Sequence, residues 1–216
     1  LKGADAQIVA AEAKDQELLD LFQTGIDIHT RNAGIVYPGI PISATLRQRA
    51  KNGVHAVNYG VHERTLSITL NCSQEEALQF ISNWFKKHPK IRHWQREIWK
   101  QLRQFQEIRN AWGYKRHYFD RIEESLLPKA LAWLGQGTIA ITINKALKQV
   151  EDQIPELEFV LQVHDSLIFR VPSNRVDHYY PLLQKAMAVN IPFQPILQIP
   201  VEFSVGSNLS NLEKIK

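Results

Sequence analysis

Arg47, Lys51, His55 and Tyr59 recur at intervals of four, and Gly60 follows at once. On a helix each step of four drifts by only about 40°, so the four side chains share one broad face. Two cations, an imidazole and a phenol in a row suit a ligand with phosphates at one end and a sugar or base at the other. A solvated basic face is the competing reading. A second reactive group lies downstream. His164-Asp165-Ser166 separates two strand-like runs, LEFVLQV (157–163) and LIFRV (167–171), both rich in β-branched and aromatic residues. This pattern predicts a hairpin with Asp165 at its tip. Such a carboxylate must face water, a cation or a metal, because burying it unpaired is costly. A turn aspartate bonded to its own backbone is the alternative. A metal phosphohydrolase also uses a His-Asp pair, but on a helix with further His ligands, and no HxxH or HxxxH pair accompanies this one. Two weaker polar segments are Asp5-Ala6-Gln7-Ile8 and Asp27-Ile28-His29-Thr30; their polar residues could equally cap helices.

These residues must be positioned by a chain of 216 residues, 44% of them hydrophobic, which is enough for one large domain or two small ones with a real core. The net charge of +4 and a pI near 9.1 permit a nucleic-acid partner without requiring one. Cys72 is the sole cysteine, which excludes an internal disulfide and the usual thiolate zinc sites and fits a reducing cytoplasm. The polar start LKGADAQIVAAEAKDQ does not read as a signal peptide, and no stretch is expected to approach a membrane span. The first residue is Leu rather than Met, so an upstream segment is expected to have been removed.

Residues 1–10 read as a strand end or turn leading into one helix that Gly25 ends, and residues 31–42 read as loop, punctuated by Gly34, Pro38, Gly39 and Pro41. Ser43 is placed to cap a helix carrying the four-residue row to about Asn58. Gly53 within it costs about 1 kcal/mol relative to Ala and permits close approach of a ligand or backbone. Ser73-Gln74-Glu75-Glu76 is a capping box opening a helix with Ala77, Phe80, Ile81, Trp84 and Phe85 as its core stripe, stopped by Pro89. The next helix turns Ile91, Trp94, Ile98 and Leu102 inward, and Trp112–Arg116 reads as a hairpin or loop with a basic tip. A long helix is predicted from about Pro128 to Val150, then the Asp165 hairpin, a mostly helical 174–189 despite Pro181, and a last strand over 198–205. Helices in the middle and strands at the end argue for an α+β fold.

Together these segments resemble family A DNA polymerases of the bacterial polymerase I type. RQRAKNGVHAVNYG (47–60) resembles that family's fingers-helix motif, Arg-x3-Lys-x3-aromatic-x3-Tyr-Gly, and LQVHDSLIF (161–169) resembles its third palm motif. GADAQI (3–8) with DIHT (27–30) is similar to the end of the first palm motif and the segment after it. Leu134-Gly135-Gln136-Gly137-Thr138 resembles the Gln-Gly-Thr segment, and HPKIRHW and IPVEFSVGSN also match. The resemblance covers essentially the whole chain in the right order. It implies a partial right-hand fold, α+β, in which a palm with an antiparallel β-sheet takes residues 1–16 and 126–216 and a mostly helical fingers subdomain takes 17–125.

The resemblance further implies transfer of dNTPs to a primer 3′-hydroxyl on primer–template DNA, with two Mg²⁺ ions, in the cytoplasm of a bacterial or phage-infected cell and away from membranes. Asp165 matches the second of the family's two metal-holding aspartates. The first is expected immediately before Leu1, whose backbone carbonyl would also touch a metal, and the upstream thumb and palm portion of the same polymerase is the expected partner. Arg47 and Lys51 would grip the triphosphate with His29 nearby, and Lys51 would protonate the pyrophosphate leaving group. His55 would lie against the sugar, Tyr59 beside the templating base pair, and Asp5 where the ribose 2′-hydroxyl is excluded. Gln136 and His164 would touch the primer–template near its end, and Lys115 and Arg116 the template phosphates.

This sequence also departs from the family pattern. His55 stands for Phe or Tyr, Asp5 for Glu, Gln7 for Arg, Ser166 for Glu, and Pro128 and Ala132 for Arg and Asn, which suggests a divergent bacteriophage-type branch. A single-subunit RNA polymerase shares the Arg/Lys/Tyr-Gly row and a His-Asp-Ser motif, but keeps a small residue where Asp5 stands, and DIHT and Gln-Gly-Thr favour DNA synthesis. A non-catalytic nucleic-acid-binding module is the rival from another class. Without the thumb and one metal carboxylate, the fragment alone is expected to be inactive or weak.

Overall fold

A computed structural model of the protein describes residues 1, 3–119 and 121–215. The chain divides into two compact units: Ala6–Gln136, and Leu1–Asp5 together with Gly137–Lys216.

The larger unit is built from helices α1 (Ala4–Glu12), α2 (Gln16–Gln23), α3 (Ile28–Val36), α4 (Ala44–Asn58), α5 (Glu63–Leu70), α6 (Gln74–Lys87) and α7 (Pro89–Phe105), a hairpin of β1 (Glu107–Arg109) and β2 (Lys115–His117), and the start of α8 (Leu127–Gln153). The expected single N-terminal helix is two. Alanine-rich 4–12 winds from the outset because its propensity is high, then Lys14 turns left-handed at φ 54° and Asp15 caps α2 through the Leu18 N–H. Residues 28–36 are helical where loop was expected: Asp27 caps α3, and packing of α3 against α4 and α6 overrides Gly34. The row helix α4 begins at its Ser43 cap and ends at Asn58 as predicted, and the Ser73 capping box closes at both ends.

The core gathers Phe80, Trp84, Leu66, Ile91, Leu102, Leu131 and Leu134, all 2% exposed or less. It also holds polar groups that position α4. The buried Gln95 amide donates to the Val57 and Asn58 carbonyls at 2.8 and 2.9 Å, and Trp84 Nε1 donates to Asn58 Oδ1 at 2.8 Å. Gly53 lies on the buried side of α4. It faces the Phe80 ring, where an added Cβ would lie 2.5 Å from a ring carbon.

The smaller unit holds the rest of α8, an antiparallel hairpin of β3 (Glu158–Val163) and β4 (Ser166–Arg170), helix α9 (Val176–Ala186) with Pro181 inside it, and a short pair of β5 (Ser204–Val205) with β6 (Glu213–Lys214). Its buried residues include Ile143, Val150, Tyr179, Leu183, Ile191 and Leu197. The register runs from Glu158 opposite Arg170 to Val163 opposite Ser166, leaving His164 and Asp165 as the turn. The expected last strand over 198–205 shrinks to two residues, since Pro200 cannot donate to a ladder. Among the described residues the sheets are three antiparallel pairs, so the fold class is α+β. One expectation is corrected by composition: Glu124–Gln153 is long and apolar enough to cross a membrane on those grounds alone. A helix feeding two cores gives the same signature, and here Ala130, Leu131, Leu134, Ile143, Ala146 and Val150 are buried.

Two predictions follow from this packing. Gly53→Ala gains about 1 kcal/mol of helix propensity but overpacks against buried Phe80 at a cost of about 1–3 kcal/mol, so its urea midpoint should fall; an unchanged or raised midpoint contradicts the clash. The second concerns the Asp15–His88 pair, buried with Oδ2 and Nδ1 2.8 Å apart. Burial pushes the Asp15 pKa up, but hydrogen bonds from His88 and the Leu18 N–H outweigh it and hold the carboxyl below its usual value. A depressed carboxyl stabilises the fold fully above its unfolded pKa of about 3.9, and that contribution is lost as pH falls through the folded value. Urea unfolding across a pH series should therefore show wild type losing stability below pH about 4 more steeply than Asp15→Asn.

Candidate functional site

α3 and α4 pack side by side, and Asp27, at the head of α3, ties them together. Its Oδ1 accepts from the His29 N–H at 3.2 Å and from Arg47 Nη2 at 2.8 Å. Its Oδ2 accepts from Thr30 Oγ1 at 2.6 Å and from Arg47 Nε at 2.6 Å. The Arg47 bonds first, then the Thr30 bond, hold the Asp27 carboxyl well below the usual carboxylate range. His29, half-buried on α3, has its pKa lowered by burial and then by the Lys51 and Arg47 cations, with Asp27 opposing. His29, Arg47 and Lys51 thus form one electrostatic cluster, and Lys51 is exposed.

The row does not stay on one face to its end. His55 is exposed, and its ring meets the Tyr59 ring edge-on at 5.1 Å. Tyr59 itself is only 5% exposed, because it is the residue that caps α4 rather than its last helical residue. Its hydroxyl occupies the space where a Cβ on Gly135 of α8 would sit. Gln136, next on α8, is exposed.

In the smaller unit, the hairpin turn presents His164 and Asp165. His164 adopts φ 52° and its carbonyl accepts from Gln162 Nε2 at 3.3 Å. The Asp165 side chain is 41% exposed, and among the described residues its carboxylate makes no bond to its own turn backbone, which removes the turn-aspartate alternative. The Leu1 nitrogen lies 3.6 Å from Asp165 Oδ2 and donates to the Asp165 carbonyl at 3.4 Å. Asp5 sits half-exposed in the first turn of α1. No three His, Cys, Asp or Glu residues converge on a metal position among the described residues. Asp165 fits a divalent cation as one oxygen donor of a larger set.

Lys115 and Arg116, both exposed on β2, make different contacts. Successive strand residues face opposite ways: Lys115 pairs with Glu107 at 3.0 Å, while the Arg116 guanidinium lies over the Tyr118 ring at 5.2 Å. Sequence reasoning left two contributors out of the site. Asp27 is signalled by its place one turn before a Thr at an N-terminus, but its bond to Arg47, 20 residues on, is tertiary. Gly135 is signalled only as a glycine inside an apolar helix. For the cluster on α3 and α4, an NMR titration should find the His29 midpoint below the ordinary imidazole value of about 6.5, and Lys51→Ala should raise it; a midpoint indifferent to Lys51 would separate the two groups.

Comparison with known proteins agrees with this architecture. A model of DNA polymerase family A matches residues 4–211. The chain is 29% identical over 212 residues to a thermostable DNA polymerase I of Thermus thermophilus, covering 94% of this chain and 25% of that protein. It is 23% identical over 211 residues to DNA polymerase I of Geobacillus stearothermophilus, covering 92% and 24%. The fold superposes on the POL domain of Pol1 from M. smegmatis, solved in complex with DNA primer-template and dNTP, with a TM-score of 0.80 at 24% identity, over 89% of this chain and 36% of that one. The chain spans about a quarter of the length of the curated relatives it matches. With the family match running over nearly every residue, the chain belongs to DNA polymerase family A.

Proposed function

We propose that this chain supplies the fingers and much of the palm of a template-directed DNA polymerase. The observation that carries the reading is the cation cluster of His29, Arg47 and Lys51 on α3 and α4, in a chain whose family match covers residues 4–211. Arg47 and Lys51 bind the triphosphate of an incoming dNTP, and Lys51, exposed and cationic, donates a proton to the departing pyrophosphate. His55 lies against the sugar. Tyr59, lodged over Gly135, borders the templating base pair, with Gln136 and His164 touching the primer–template. Arg116 and Lys115 contact template phosphates. Asp5 guards against the ribose 2′-hydroxyl with a side chain one methylene shorter than Glu.

Asp165 and the Leu1 carbonyl would hold a divalent metal, Mg²⁺ in this proposal, as part of a larger oxygen set. Bound there, the metal would neutralise the charge that builds on the reacting oxygens. In this assignment, residues 17–125 act as fingers and 1–16 with 126–216 as palm.

The test is primer extension with Mg²⁺ and dNTPs, using the chain extended upstream through the expected aspartate and thumb, beside an Asp165→Ala version. Extension by the first that falls by three orders of magnitude or more in the second, roughly 4 kcal/mol of barrier, supports the polymerase and the metal role. DNA binding without extension in either favours a non-catalytic nucleic-acid-binding module.

A further inference from the structure

The Asp27 carboxylate does more than cap a helix. An N-cap needs one acceptor, which Ser, Thr or Asn supplies as well. Asp27 satisfies the His29 N–H and still takes two bonds from Arg47, at Nε and Nη2. That pair uses one edge of a planar group with five N–H donors. The opposite edge, Nη1 with the second hydrogen of Nη2, takes no partner among the described residues. This free edge is a fork of the spacing that binds phosphate bidentately.

We propose that Asp27 is a positioning residue for anion binding: it fixes the Arg47 plane so that the free guanidinium edge is held out, beside Lys51 and His29, for a polyphosphate. The inference rests on the nucleotide-binding reading of Arg47 and Lys51 given above. An unheld arginine on the first turn of α4 samples many rotamers in water, and a bidentate contact must first freeze it. Asp27 removes that cost in advance, and it does so from α3, the helix that also carries His29. Its negative charge opposes the anion, but it lies on the far side of the guanidinium in screened solvent, where such repulsion is weak. Orientation therefore wins over charge, and neutralising Asp27 weakens anion binding instead of strengthening it.

The experiment is isothermal titration of the 216-residue chain with inorganic tripolyphosphate, without metal, for wild type, Asp27→Asn, Arg47→Ala, Lys51→Ala, and the doubles Asp27→Asn/Arg47→Ala and Asp27→Asn/Lys51→Ala. Asparagine keeps the cap, so thermal unfolding by circular dichroism should be nearly unchanged and serves as the folding control. The expected result is a roughly tenfold loss for Asp27→Asn alone, less than twofold in the Arg47→Ala background, and the full tenfold again in the Lys51→Ala background, by the logic of a double-mutant cycle. A merely structural role would give the same loss in every background and overturns the proposal, as does unchanged or tighter binding by Asp27→Asn. If wild type binds tripolyphosphate no better than Arg47→Ala, the nucleotide-binding reading itself fails and takes the proposal with it.

Discussion

Two buried hydrogen bonds from one side chain decide where α4 stops. The Gln95 amide donates to the Val57 and Asn58 carbonyls at the helix end, where the Val57 carbonyl also accepts from the Gly60 N–H at 3.0 Å. Both lie in the core, where an unpaired carbonyl is expensive. Asn58 is held a second time through Trp84. With the end fixed there, Tyr59 must leave the helix path, and Gly60 at φ 75° takes the turn that a side chain would resist. The phenol then enters the space that Gly135 leaves free. The adjacent Gly60, the distant Gly135 and one buried glutamine thus set where the last member of the reactive row sits.

The first members of the row obey a different constraint. α4 is buried on one side through Ala50, Gly53, Val54 and Val57, and exposes Lys51 and His55 on the other. Cations on a wet face gain little stability from their neighbours. Their placement is governed instead by what faces them, and here that is α3. Burial of His29 between the Lys51 and Arg47 charges lowers its pKa, so the imidazole leans toward neutrality beside two permanent cations. A neutral ring there can donate a hydrogen bond to an anion without adding a third positive charge.

What the sequence disclosed follows from how local each signal is. The Ser43 cap, the Ser73 capping box and the stripe of Ile91, Trp94, Ile98 and Leu102 are set within one or two turns of helix, and all were legible. The Asp165 hairpin was legible for the same reason, since two β-branched runs and a two-residue turn specify it. α3 was not, because Gly34 lowers its own propensity and the packing that rescues it comes from α4 and α6. The break at Lys14 was hidden because the chain on both sides favours helix, and only the cap at Asp15 marks it. In the row of four, the spacing located the residues, but the exit of Tyr59 depended on Gln95 and Gly135, far off in sequence. Arg116 and Lys115 looked like one basic tip, and strand pleating split them.

The two charged groups that matter most to the proposed chemistry are placed by opposite means. Arg47 is long and flexible, and its position is set by another side chain. Asp165 is short, and the backbone places it: the left-handed turn at His164 and the register of β3 with β4 fix where its side chain starts. The ribbon behind it is held by cross-strand pairs, with Phe159 and Phe169 edge-to-face at 5.8 Å and Arg170 bonded to Glu158 at 2.8 Å near its open end. Such a ribbon resists moving its tip without needing a partner on the carboxylate. Each solution leaves valence unspent: Asp165 Oδ1 and one edge of Arg47 take no partner among the described residues. Both side chains are exposed, at 41% for Asp165 and 37% for Arg47, so solvent meets the valence that the protein leaves open.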